Sequence, residues 1–314
     1  MKKRVKSKGI IIVAFLALIL IAPLISAGIF QDTWIKLTGK ATTSPVTISV
    51  SVTSAPPIID NISSNPSFTS LEGPSLTYVV INFSVNATNG AGSLNNASAM
   101  LNITKAGQPI RVAACTVKDF AGNFANYTCN LTVYWYDQDG VWTIYANISD
   151  LGGNYVVNGT KTVTISTLTG MVMSPTSLTF SNIIAGVTNQ TATNDPLVLN
   201  NTGNQNISAG NVKINAIDLA GDTDHGKFLF ASNFSASINT GGNIECNTTA
   251  SATPMVNVTD TAVSNAVLNL GNFQLNDGTT GQEQLYVCLR KVGFELTQQA
   301  YSTTTLGSWT VKIA

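Results

Sequence analysis

Apolar and polar residues alternate strictly through two runs near the middle of the chain. Cys129, Leu131, Val133 and Trp135 alternate with Asn130, Thr132, Tyr134 and Tyr136; further on, Trp142, Ile144, Ala146 and Ile148 alternate with Thr143, Tyr145, Asn147 and Ser149. A period of two marks strands with one buried face. Between the runs lies Gln138-Asp139-Gly140, and an Asp-Gly step supplies the positive φ that a tight turn needs, so 129–150 reads as a β-hairpin. The same parity extends upstream. In 76–88, Val79, Ile81, Phe83 and Val85 point inward, and in 96–104 Ala99, Leu101 and Ile103 do.

A second, chemically unrelated signal follows the same parity. N-x-S/T triplets, the acceptors of N-linked sugar, occur at Asn82, Asn86, Asn96, Asn102, Asn126, Asn130 and Asn147, each on the polar side of its strand. A glycan cannot be buried, so these positions independently mark the solvent face. Others stand at Asn61, Asn158, Asn189, Asn200, Asn206, Asn233, Asn247 and Asn257, making fifteen in all. Thirty-odd Asn in a chain about one-fifth Ser and Thr would give about six or seven by chance.

Strand patterns continue at 46–52 (VTISVSV), 58–62, 110–117 and 155–165, broken by Pro56-Pro57, by the Gly-rich 89–92 and by a turn at 106–109. Further on they recur at 177–180, 197–200, 212–219, 227–231, 234–238, 268–275, 285–290 and 309–313, with a long Asn- and Thr-rich loop across 241–264. No amphipathic helical window interrupts them, which predicts an all-β chain. The expected layout is 1–30 as signal peptide or membrane anchor, 31–44 as linker, and β-sandwiches at 45–167 and 168–314.

Charge changes the picture in two ways. Charged residues make up 10% of the 314 residues, against roughly 25% in an ordinary soluble domain. Sugar is the expected solvating device. Acidic and basic residues balance at 16 each, but Lys2, Lys3, Arg4, Lys6 and Lys8 precede an apolar run at 10–25, leaving the rest of the chain with a net charge of about −5. That excludes a basic nucleic-acid footprint. The leader reads as a secretory signal with an exit after Ala27, or as an anchor retained in the membrane. Cys115, Cys129, Cys246 and Cys288 suit an oxidising compartment. Connectivity does not follow from spacing, though one local pair per domain is the economical choice.

The run 136–144 (YDQDGVWTI), followed by Asp150-Leu151-Gly152-Gly153-Asn154, resembles the penultimate-strand signature of immunoglobulin-like and PKD-like surface modules. Residues 197–204 (LVLNNTGN) are similar to the strand and turn of another class of such modules, and the leader with 38–42 (TGKAT) resembles the start of uncharacterised secreted proteins of small-genome (DPANN) archaea. The resemblance implies two tandem immunoglobulin-like β-sandwich domains behind an N-terminal hydrophobic signal or anchor helix. It implies no activity.

Sites for chemistry are sparse. Asp218, Asp222 and Asp224, with the single His225, are the one acidic cluster that could hold Ca²⁺, but their spacing matches no cation loop and a solvated turn is the simpler reading. Asp137 and Asp139 resemble the start of an EF-hand loop whose closing Glu is missing, since its twelfth residue is Ile148. One His serves no nucleophilic triad, no G-x-S-x-G occurs, and a glycosidase would need two of sixteen carboxylates to converge. Tyr134, Tyr136 and Tyr145 offer an outward aromatic patch. The expectation is a non-enzymatic protein of the cell surface, structural or adhesive, without cofactor. Its expected partners are other envelope proteins or itself, glycans or a host-cell surface, with membrane contact only through the N-terminal segment.

A pilin-like subunit is the alternative, because Lys8-Gly9 before Ile10 resembles a pilin processing site; Pro23 and the exit at Ala27 argue against it. Sequencing the mature N-terminus decides the matter. Gly28 is the expected first residue; Ile10 would give a filament subunit and Met1 a retained anchor.

Overall fold

The structure is a computed structural model that describes residues 47–50, 55–63, 67–181, 183–241 and 243–314. The expected leader helix and linker lie outside them. Among the described residues the protein is all-β, with several sheets and no helix long and apolar enough to cross a membrane.

The first region holds β1 (Ile58–Ile62), β2 (Ser67–Thr69), β3 (Leu76–Asn86), β4 (Leu94–Thr104), β5 (Arg111–Ala121), β6 (Phe124–Tyr134), β7 (Gly140–Asp150) and β8 (Tyr155–Ser166). They pair in the order β1-β3-β6-β5-β4-β7-β8-β2. Strand β5 is the fold line. Its pairing with β4 ends at Ala114, opposite Met100, and its pairing with β6 begins at Cys115, opposite Cys129. The two halves turn their apolar faces onto one core containing Ile81, Phe83, Leu101, Tyr127, Leu131, Trp142 and Ile144, an arrangement consistent with a β-sandwich. Asn158 Nδ2 then donates to the Ile59 carbonyl at 3.1 Å, bringing β8 back to β1.

Every inward position named from alternation in β3, β4, β6 and β7 is buried. The hairpin is not there. Strand β6 pairs with β3 and β5, whereas β7 pairs with β4 and β8, so the two runs face each other across the core instead of sharing hydrogen bonds. Alternation fixes which side of a strand is buried; it does not name the neighbour. Tight reversals occur elsewhere, at Gly122-Asn123 between β5 and β6, with Gly122 at φ 59, and at Gly153 between β7 and β8. Bulges in β1, β4, β5 and β8 add the twist needed to close the layers.

The second region contributes β9 (Met171–Ser174), β10 (Thr188–Thr191), β11 (Leu197–Asn201), β12 (Val212–Ala216), β13 (Leu219–Gly221), β14 (Phe228–Leu229) and β15 (Phe234–Ser237). It ends with β16 (Thr253–Pro254), β17 (Thr259–Ala262), β18 (Gln282–Lys291), β19 (Tyr301–Ser302) and β20 (Thr310–Ile313). One sheet runs β16-β15-β18-β11-β9, with β10 also on β18, and two small sheets run β17-β12-β20 and β14-β13-β19. Their core gathers Leu199, Ile214, Phe234, Leu268, Leu285 and Val287.

Three expected strands differ. Residues 47–50 belong to no strand, with Ile48 79% and Val50 75% exposed. Residues 177–180 also belong to no strand; the Thr179 carbonyl accepts from Thr193 N at 2.7 Å, while Leu178 and Phe180 line a cavity. Instead of a strand, 268–275 gives a single bridge from Leu268 to Ile207 and a 3₁₀ turn at Phe273–Leu275. Conversely, the expected long loop contains β16 and β17.

The disulfides are Cys115–Cys129 and Cys246–Cys288, one in each region. The first sits where β5 passes from one half-sheet to the other, closing a loop of 14 residues in sequence. A Cys115→Ser/Cys129→Ser variant is expected to lose about 3 kcal/mol of stability in chemical denaturation. Amides of 113–117 should exchange faster as the handover loosens; unchanged stability and exchange would show that the strand switch does not depend on the bond.

Candidate functional site

Two features stand out as candidates: the outward faces of both regions and the joint between the two cores.

On the outward faces, the fifteen sequon asparagines are all exposed or half-buried. Asn61, Asn82, Asn96, Asn126, Asn130, Asn189, Asn206, Asn247 and Asn257 are exposed; Asn86, Asn102, Asn147, Asn158, Asn200 and Asn233 are half-buried. The register sets two sequons directly against each other. Asn82 lies opposite Thr128 and Ser84 opposite Asn126, so 82–84 and 126–128 run antiparallel with acceptor facing hydroxyl in both directions. Their middle residues, Phe83 and Tyr127, point into the core and stack at 5.0 Å. Burial pushes the Tyr127 phenol up to about 12, and its hydroxyl donates to Asn96 Oδ1 at 2.6 Å. The same triplets therefore hold core on one side and present amides on the other. The Nδ2 of Asn126 donates to Asp119 and that of Asn257 to Asp218, each keeping one N–H for such a bond if the other carries sugar.

The joint is built from 201–204, the Asn-Thr-Gly-Asn turn after β11. Asn201, Thr202 and Asn204 are buried despite being polar. Burial of such groups is tolerated only with partners, and they have them on both sides. Thr202 N donates to Gly170 O and Asn204 N to Leu168 O, so the connecting residues 168–170 are zipped onto the turn as a continuation of the β9–β11 pairing. Asn204 closes further onto the first region: its Oδ1 accepts from Leu168 N at 2.7 Å and its Nδ2 donates to Ser166 O at 2.8 Å. Thr202 Oγ1 donates to Glu72 Oε1 at 2.5 Å, its carbonyl accepts from Gly73 N at 2.8 Å, and Gln205 Nε2 donates to Asp139 Oδ2 at 3.2 Å. Asn201 ties the turn to its own core through the carbonyls of Gln205 and Asn269. Gly203 is obligatory, since a Cβ there would overlap the Leu168 carbonyl oxygen and stand 2.8 Å from Gly170 N. Beside the turn, Trp135 packs on Phe273 at 5.7 Å between ring centroids.

Next to Trp135 lies a pair with no sequence motif to announce it. Arg111 holds Asp137 through Nε, at 2.9 and 3.0 Å to the two carboxylate oxygens, and through a further bond from its second nitrogen. Its guanidinium lies 4.6 Å from the centre of the Tyr134 ring, which stacks on Tyr136. Asp137 is fully buried and also accepts from Tyr134 N. It braces the turn and is not placed as an exposed cation ligand. The expected aromatic patch is divided: Tyr134 and Tyr136 wrap Arg111, while Tyr145 lies over Gly159 in the other half-sheet.

The acidic cluster is likewise dispersed. Asp218 accepts from Ala231 N and Asn257 Nδ2, Asp222 from Ser302 Oγ, and Asp224 from Gly226 N. Each carboxylate closes a different piece of loop, and no group of three or more His, Cys, Asp or Glu converges among the described residues. No known protein-family model matches this chain, and no curated protein is similar to it in sequence. Function therefore has to be read from the geometry.

One titratable group carries a definite pH signature. Asp195 fills a gap in the ladder of β18, where pairing passes from β10 at Cys288 to β11 at Leu285; both its carboxylate oxygens accept from Val287 N at 3.3 Å. Burial raises its pKa to about 6, assisted by repulsion from Glu245 and opposed by the backbone hydrogen bonds. A carboxyl whose pKa is higher in the fold than in the unfolded chain favours folding while protonated. Its contribution is full below about pH 4 and is lost as pH rises through about 6, a difference of roughly 1–2 kcal/mol after discounting the shift for solvent screening at this half-buried group. Thermal melts of Asp195→Asn, which can still accept from Val287 N, are expected to lack this decline; an identical pH profile in both proteins would assign it elsewhere.

Proposed function

We propose that the protein is an extracellular glycoprotein of the cell envelope, with two tandem immunoglobulin-like β-sandwich domains serving as a structural or adhesive element. The observation that carries this reading is the placement of the fifteen sequon asparagines, none of them buried. Eleven fall within strands, where alternation could have turned any of them inward. The two disulfides fit an oxidising compartment outside the cytoplasm. A chain with so few charges gains its solubility from the sugar on these faces.

The joint favours a structural role over a catalytic one. A flexible linker between modules lets them reorient; here the connecting residues are paired along 202–204, and the contact is made by buried, satisfied polar groups. Such an element transmits position and load from one module to the next. The leader delivers the protein through the membrane or anchors it there, leaving both modules outside.

The intact mass of protein purified from its native host is expected to exceed the calculated 33.0 kDa, less any leader removed, by several glycans. Glycopeptide mapping should place them on the outward asparagines, Asn82, Asn130 and Asn147 among them. An unmodified mass from that source would overturn the glycoprotein reading.

A further inference from the structure

The two regions end their sheets differently. In the first, the order ends at β1 and β2, and Asn158 on β8 bridges to β1 by donating to the Ile59 carbonyl. In the second, β9 and β20 are terminal strands, each with one edge unpaired among the described residues. Between them opens a cavity of about 230 Å³, lined by Met173, Leu178, Phe180, Phe234, Trp309 and Val311, with Thr176, Ser177 and Ser308 at its rim and no charged residue. That is larger than the roughly 150 Å³ apolar cavity able to hold a benzene ring, and has room for two aliphatic side chains. The core is thus missing material at the place where two strand edges are free.

The chain carries an unused piece of matching character. Residues 46–52 read Val-Thr-Ile-Ser-Val-Ser-Val, apolar at every second position and without charge. Their composition and alternation are those of a strand, yet 47–50 are in none, and Ile48 and Val50 stand in solvent. Exposed β-branched residues at alternate positions are what strand addition to a free edge requires: backbone groups pair with the edge while alternate side chains enter the pocket.

We propose that the segment bearing Ile48 and Val50 of one copy inserts as a strand into the slot between β9 and β20 of a second copy. The donor comes from a neighbour because of reach. Ile58 pairs with Asn86, at the end of β3 away from the joint, and the ten-residue run back to Leu76 is about 33 Å long. The eight residues from Ile58 back to Val50 extend at most about 28 Å, short of the joint and shorter still of the slot. Donor segment and acceptor slot are different surfaces, so the contact is head-to-tail and repeats into an open chain of subunits. This extends the structural reading above by naming another copy as the partner, and it draws nothing from the sugar.

The test uses the full chain produced without glycosylation, carrying Ile48→Cys and Ser308→Cys, under mild oxidation. Gels run without reductant should show a ladder of multiples, and a mixture of the two single variants should give dimers only. Adding Val50→Asp to the double-cysteine chain is expected to lower the crosslinked fraction by roughly tenfold or more, the equilibrium effect of keeping one aliphatic side chain out of its pocket. Excess peptide of residues 45–53 should have the same effect, and a scrambled peptide none. A band at monomer mass only, a crosslink formed within one chain, or a ladder indifferent to Val50→Asp and to the peptide would overturn the proposal while leaving the glycan measurement standing.

Discussion

The arrangement of this protein depends on a polar turn placed where polar groups are expensive. Asn201, Thr202 and Asn204 are withdrawn from water between two hydrophobic cores, and an unsatisfied group there would cost about 1–3 kcal/mol. Each is satisfied by groups from several parts of the chain: the carbonyl of Leu168 from the connecting chain, Ser166, Glu72 and Gly73 from the first region, and Gln205 and Asn269 from the second. The cost of leaving these bonds unmade selects the relation of the two cores more sharply than apolar contact does, because hydrophobic burial is not directional. Residues 54–314 accordingly form one compact unit.

Much of the first region could be read from the chain because its strands are long. Eleven-residue strands such as β3 and β6 repeat the alternation often enough to fix every inward position. What alternation cannot carry is pairing. Strands β6 and β7 have the pattern of a hairpin and also that of two strands on opposite walls, since both arrangements bury the same side chains; the Asp139-Gly140 step reverses the chain in either case. The segment carrying Trp135 and Asp137 decides between them. Asp137, held by Arg111 and by Tyr134 N, fixes an arch that carries the chain across the core. The second region was less legible because, apart from the ten-residue β18, its strands of two to five residues offer only one or two alternations, and apolar pairs such as Leu178 and Phe180 line a cavity without entering a sheet.

Site residues divided along similar lines. The outward asparagines were visible because acceptor chemistry is written into three consecutive residues, and strand parity then gives their side. Partners far apart in sequence were not visible. Arg111 and Asp137 are 26 residues apart, and Glu72 and Thr202 are 130 apart. The 197–204 motif was noticed for its resemblance to surface modules, but its physical reason appears only when Gly203 is seen pressed against the backbone of 168–170. The acidic loop shows the converse. Asp218, Asp222 and Asp224 are neighbours in sequence, yet each carboxylate is engaged by a different strand or loop.

Scarcity of charge connects surface and edges. Proteins commonly protect free strand edges with lysine, proline or inward-pointing charge, a device that a chain with 10% charged residues has little means to use. In the first region, Asn158 bridges the seam between β8 and the terminal strand β1. In the second, β9 (Met-Val-Met-Ser) carries no charge, and on β20 the one lysine, Lys312, is engaged by Asp260 at 2.8 Å. An unguarded edge beside an unfilled apolar slot is a liability for a protein that must remain a monomer and an asset for one that assembles. Sugar can make the broad faces soluble without covering a strand edge, because its acceptors stand perpendicular to the sheet whereas the edge exposes backbone in its plane. Under the proposed glycosylation, faces solvated by sugar with edges left bare leave one direction open for association, along the plane of the sheet, and that is the direction in which an added strand pairs.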